Sequence, residues 1–134
     1  MGAQHGKSTV ITVGGDDISA YTTNSQLTRG ADSHDITGYG KNDHVWSGGL
    51  GTGEFTAEGW YDNTAVTGPH AVLAPLRGTV VEIIRKPEGT GTGKPLETFD
   101  ALIEEYAESS PVADIVKWTL KSKVSDAIAD TTQA

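Results

Sequence analysis

A chain of 134 residues is long enough for one domain with a real core and short for two. Its 10 Lys and Arg stand against 18 Asp and Glu, a net charge of −8, which argues against a cationic grip on duplex DNA or an anionic membrane surface. The absence of cysteine excludes disulfide scaffolds, thiolate zinc sites and cysteine nucleophiles together.

Seventeen glycines favour a turn-rich β chain, since each costs about 1 kcal/mol inside a helix. Residues 1–7 form an arm without the apolar run of an export signal, and no stretch approaches the roughly 20 apolar residues of a membrane span. Residues 8–13 (STVITV) are rich in β-branched side chains, Gly14-Gly15-Asp16-Asp17 supplies a turn, and 18–22 follow as a second short strand, giving an opening hairpin. From Asn24 to Gly53 the chain reads as short strands and loops. Within it, residues 38–53 (GYGKNDHVWSGGLGTG) hold six glycines without periodicity and predict one long loop.

Residues 54–61 alternate, with Phe55, Ala57, Gly59 and Tyr61 on one face and Glu54, Thr56, Glu58 and Trp60 on the other. Residues 69–76 (PHAVLAPL) predict one short helix. Pro69 suits its first turn, Thr67 or Gly68 its cap, and Gly78 its end, while Pro75 limits its length. Residues 79–86 (TVVEIIRK) predict a strand buried on both faces, and 88–95 a glycine-rich turn. In 96–109, Leu96, Phe99, Leu102, Ile103 and Tyr106 recur at helical spacing, which by itself favours a helix. Residues 112–124 predict a long half-buried strand, with Val112, Val116, Trp118, Leu120 and Val124 inward; 125–134 read as a loose tail. The sum is a single, mainly β domain with one or two helices, whose alternating faces a sandwich or partial barrel would bury.

Chemistry is hard to find. Gly93-Lys94 lacks the surrounding pattern of a phosphate loop, because position 88 is Glu and position 95 is Pro. Gly49-Leu50-Gly51-Thr52-Gly53 falls short of a dinucleotide fingerprint. His5, His34, His44 and His70 are scattered, none at metal-binding spacing, and the paired acids Asp16-Asp17 and Glu104-Glu105 read as a turn and a solvated face. No catalytic, metal or cofactor site is expected. Trp118 reads as core, whereas Trp46 sits in the glycine-rich loop beside Val45, where an aromatic can anchor a protein contact.

Four segments, in order, resemble the major tail tube proteins of long-tailed, siphovirus-type bacteriophages. They are Asp17-Ile18-Ser19-Ala20-Tyr21, the acidic-Thr-aromatic-Gly stretch from Ala31 to Gly40, the Gly-aromatic-Asp strand end Gly59-Trp60-Tyr61-Asp62, and Ser110-Pro111-Val112-Ala113-Asp114 before an apolar strand. The usual glycine after that strand is missing at Val124-Ser125-Asp126.

The resemblance implies a β-sandwich flanked by one short helix, with a long stacking loop and with residues 99–106 as a strand, against their helical spacing. It implies a structural, non-enzymatic virion protein, made in the host cytoplasm, that assembles with itself into stacked hexameric rings. A tape measure protein and a tail terminator would be its partners, and viral DNA would pass through the bore without specific binding. By position, 38–53 is the ring-stacking loop, with Tyr39, Val45, Trp46 and Leu50 as candidate contacts. Six copies carry −48 (6 × −8), and Glu54 and Glu58 are the candidate bore-lining acids. The alternatives are the inner tube of a contractile tail or injection apparatus, a monomeric β-sandwich binding module using Trp46, and a small acid-dependent hydrolase.

Overall fold

The computed structural model describes residues 6–62 and 68–134. Among these residues are seven strands: β1 (Val10–Val13), β2 (Asp16–Asp17), β3 (Thr22–Asp35), β4 (Trp46–Trp60), β5 (Val80–Lys86), β6 (Pro95–Ser109) and β7 (Lys117–Thr132). One short helix, α1 (Pro69–Leu73), continues into a 3-10 turn, Ala74–Leu76. All strands belong to one antiparallel sheet in the order β2-β1-β5-β6-β7-β4-β3. The layers of the expected sandwich are thus parts of one curled sheet. Thr9, Ile11 and Arg85 from the β1–β5 side and Thr22 to Ser25 of β3 line the same groove, of about 280 Å³, although they lie far apart in the strand order.

The core sits inside this curl. Ile11 and Val13 of β1, Ile83 of β5, Phe99 and Ile103 of β6, Trp118 and Leu120 of β7 and Phe55 of β4 are buried, with Leu73 of α1 closing one side. Phe55 and Phe99 meet with ring centroids 5.6 Å apart, and the buried Ser122 hydroxyl donates to the Phe55 carbonyl at 2.9 Å. Burial of these side chains at roughly 25 cal/mol per Å² is the main force holding the curl closed.

Several expectations hold. Residues 54–60 bury Phe55, Ala57 and Gly59 and expose Glu54, Glu58 and Trp60, as alternation requires. Pro69 opens α1, and Gly78, at φ 81°, follows the 3-10 turn that holds Pro75. Gly68 is the N-cap without a side-chain bond, and the other cap candidate, Thr67, lies outside the described residues.

Other expectations are overturned, each for a physical reason. Residues 96–109 form strand β6, as the family resemblance implied; pairing with β5 and β7 on both sides overrides the helical spacing. The expected second strand at 18–22 is instead a 3-10 turn, Ser19–Tyr21, because the Asp17 carboxylate accepts from the Ser19 N–H at 2.8 Å and draws the chain round. Within the expected hairpin, Asp16–Asp17 alone pair back to β1 as a strand. Strand β5 is buried on one face alone: Ile83 is fully buried while Val80 is 56% exposed. The last long strand starts at Lys117, not at Val112, whose side chain lies fully exposed in the loop before it. The expected loose tail continues β7 to Thr132, paired with β6 as far as Pro95↔Thr132. Gln133 then ties the glycine-rich turn to the chain end, accepting from the Gly91 N–H at 3.0 Å and donating to the Gly89 carbonyl at 2.8 Å.

Candidate functional site

The expected long loop 38–53 is divided by the structure. Its second half is strand, β4 from Trp46 onward, paired with β3 from Asp35↔Trp46 through Arg29↔Gly53. The β3–β4 ladder satisfies the backbone there without any buried side-chain pattern, and that is why the glycines hid it. Close packing uses them as well: a Cβ at Gly53 would stand 3.0 Å from Val124, and one at Gly49 2.6 Å from the His34 ring. Between Ala31↔Gly51 and Ser33↔Gly48 the register shifts by one extra residue on β4, a bulge that twists the hairpin.

Only residues 36–45 remain as the loop at the hairpin tip. The loop is fastened at its base. Asp35 accepts from the Thr37 N–H at 2.9 Å and from the Thr37 hydroxyl, and its other oxygen meets His44 Nδ1 at 3.1 Å. The Val45 N–H donates to the Thr37 hydroxyl at 2.8 Å, and the Ile36 N–H to the Val45 carbonyl at 2.8 Å. These bonds from Thr37, with a smaller contribution from His44, hold the Asp35 carboxyl below its ordinary range. The four candidate contacts all lie exposed on this distal hairpin. Tyr39 is fully exposed, Leu50 is 80% exposed, Trp46 60% and Val45 38%. Ile36, which sequence reasoning did not single out because it lies within the acidic motif, is also exposed on the hairpin, at 58%.

The hairpin stands away from the body. β4 pairs with β7 only from Glu54↔Lys123 to Trp60↔Lys117. At Asp126, φ 72°, β7 turns off to follow β6, and the side chain accepts the next N–H, of Ala127, at 2.9 Å. Residues 124–126, expected to follow the last strand, lie within β7, and the left-handed residue there is an aspartate, one of the few residues besides glycine that tolerate it. One ionic strut spans the gap. Arg29 of β3 reaches Asp130 of β7 at 2.7 Å and also Glu97 of β6, which Arg85 of β5 holds at 2.7 Å.

Glu54 and Glu58 both point outward from β4, and the register shows their company. Glu54 lies opposite Lys123, Thr56 opposite Lys121, and Trp60 opposite Lys117, whose ammonium sits 5.2 Å from the Trp60 ring centroid. On the far side of β7, Lys123 approaches Glu104 of β6 at 3.9 Å. The face is therefore a lysine row on β7 flanked by carboxylates on β4 and β6, not a purely acidic surface. No single sequence fixes which strands lie side by side, so this pairing could not be read beforehand.

At the opposite end from the tip, His70 of α1 meets Glu108 of β6 at 2.8 Å, and Tyr106 donates to the same carboxylate at 3.0 Å. Burial, then the neighbouring carboxylate, push the Tyr106 phenol up. The cluster docks the helix on the sheet. Among the described residues no group of three His, Cys, Asp or Glu is placed to hold a metal, and no helix is long and apolar enough to cross a membrane.

No protein-family model matches the sequence, and comparison with curated proteins finds no match. Solved structures do match, over nearly the whole chain. A chain of the virion of a native gene transfer agent particle superposes with a TM-score of 0.78 at 15% identity, covering 97% of this chain and 100% of that one. A chain of the tail of an empty gene transfer agent particle, solved with C6 symmetry, gives 0.75 at 15% identity and the same coverage. The SPP1 tail tube, solved by solid-state NMR and cryo-EM, gives 0.66 at 14% identity, covering 98% of this chain and 80% of that one. The fold is the tail-tube fold. In this chain the tail-tube fold places an exposed apolar hairpin tip at one end and a mixed-charge strand face alongside it.

Proposed function

We propose that this chain is the major tube subunit of a phage-type tail, a structural virion protein that assembles with itself into stacked hexameric rings and forms the conduit for DNA. The observation that carries the proposal is the end-to-end likeness to a sixfold gene transfer agent tail and to the SPP1 tail tube, at 97% and 98% coverage of this chain. The chain performs no catalysis on this reading; its work is mechanical. A tape measure protein and a tail terminator meet the tube inside and at its end.

Two features would do the assembling. The outer edge of β3 has no strand partner among the described residues, so its free N–H and C=O groups suit a neighbouring subunit's sheet within the ring. The hairpin tip, with Tyr39, Val45, Trp46 and Leu50, serves contact between rings. The outward face of β4 and β7 lines the bore. There the lysines hold the fibre of DNA phosphates only weakly, because carboxylates flank them, and the ring's −48 (6 × −8) keeps the duplex from adhering. Exchanging Glu54 and Glu58 together for Lys leaves the β7 lysines unopposed on the β4 side, so DNA ejection should slow and become more sensitive to salt. Unchanged ejection kinetics would remove these two residues from the lining.

Sedimentation of the purified protein at rising concentration tests the assembly. Six copies of 14.1 kDa (6 × 14.1, about 85 kDa) should appear as a discrete ring before larger species. A subunit that stays monomeric in every salt condition contradicts the proposal.

A further inference from the structure

Exposed apolar side chains gather at both ends of β4. One group is the hairpin tip already described. The other is the loop 110–116, where Val112 is fully exposed and Ile115 is 60% exposed, next to Trp60, 41% exposed, at the far end of the strand. A further exposed pair, Val80 and Leu102, lies side by side on the flank of β5 and β6 and at neither end.

The loop 110–116 is held, not frayed. The Tyr61 N–H donates to the Val116 carbonyl at 2.9 Å, fastening the loop to the end of β4. Asp114 accepts from the Ile115 N–H at 2.7 Å and pairs with Lys117 at 3.6 Å. The backbone bond and the lysine together hold the Asp114 carboxyl below its ordinary range. Exposed apolar groups rimmed by polar residues mark protein contact sites, and Val112, Ile115 and Trp60 form such a group beside Asp114 and Lys117.

A stack of identical rings joins head to tail, so the two joined surfaces must be different patches of one chain. The tip and the loop 110–116 satisfy that requirement. Separated by a strand of 15 residues, roughly 45 Å at about 3.3 Å per residue, they cannot cover each other within one molecule. Their rims both carry charges of each sign. Lys41 and Asp43 are exposed on the tip, and the Asp114–Lys117 pair, about half exposed, borders the loop, where it can exchange partners with them.

Resting on the tube reading above, we propose that the loop 110–116 is the socket for the hairpin tip of the next copy along the tube, with Val112 and Ile115 receiving Tyr39 and Trp46. The two surfaces would be the plug and socket of the ring-to-ring contact.

The test is a double variant, Val112→Asp with Ile115→Asp. Both side chains are exposed, so the fold and the ring should be kept while tubes are lost, as read by sedimentation and negative-stain microscopy. Tubes of the unsubstituted length overturn the socket. Absence of rings from the unsubstituted protein overturns the tube reading itself, and the socket with it. Because the chain has no cysteine of its own, a second measurement is independent of how well that variant folds. Subunits carrying Tyr39→Cys mixed with subunits carrying Val112→Cys should form a disulfide-linked pair under mild oxidation. Linkage no greater than in a mixture of Tyr39→Cys with the flank variant Leu102→Cys overturns the assignment.

Discussion

The two halves of β4 are one continuous strand built on opposite principles. From Glu54 to Trp60 the strand is sandwiched between β3 and β7, and its alternate side chains fill the core. From Trp46 to Gly53 it pairs with β3 alone, buries almost nothing, and exposes Trp46 and Leu50. The first half is held by side chains, the second by backbone pairing and the absence of side chains. The lesson is that a segment can be ordered within a subunit by its ladder while its apolar residues stay exposed.

The largest effect should come from disturbing the core half. Gly59 sits so close to the turn Ser19–Tyr21 that a Cβ would fall 1.7 Å from the Tyr21 carbonyl oxygen. Gly59→Ala should therefore cost about 3 kcal/mol or prevent folding, measured by urea denaturation, since backbone rather than a movable side chain must give way. The distal half should behave in the opposite way. Tyr39→Asp with Trp46→Asp should leave the midpoint of subunit unfolding nearly unchanged and abolish tubes. A loss of subunit stability matching that of Gly59→Ala would erase the distinction between the halves.

Smaller changes sharpen where the halves part. Asp126 holds the left-handed turn at which β7 leaves β4. Asp126→Ala should lose about 1 kcal/mol, whereas Asp126→Gly should lose none, because glycine accepts that backbone conformation freely. The smallest effect should be the acid opening of the tip. The Asp35 carboxyl is depressed by its bonds from Thr37, so its contribution is present above the ordinary carboxylate value of 3.8 and disappears as pH falls through the lowered value in the folded chain. The Thr37 amide resonance and Trp46 fluorescence should titrate together below pH 3.8, while the core signals stay in place. A tip unaltered across that range would show that the Asp35 bonds do not shape it.

Much of the core was legible from the sequence, because alternation at Phe55, Ala57, Trp118 and Leu120 states which face is buried. The apolar spacing of Leu96 to Tyr106 misled, since a strand paired on both sides can satisfy the same residues. The free half of β4 was illegible for a different reason: Gly48, Gly49, Gly51 and Gly53 carry no pattern, and only the partner strand β3 makes them a strand. Among the candidate site residues, the exposure of Tyr39, Val45, Trp46 and Leu50 followed from apolar residues set among glycines. The lysines opposite Glu54 and near Glu104 depended on which strands became neighbours. Val112 alternates in phase with Val116 and Trp118, so the sequence reads it as strand; its exposure follows only from β7 beginning at Lys117.

Electron microscopy of the concentrated, unsubstituted protein tests the central claim most directly. Hollow tubes of stacked rings, sixfold in cross-section, are the predicted result. Isolated single subunits at every concentration and salt condition would contradict it.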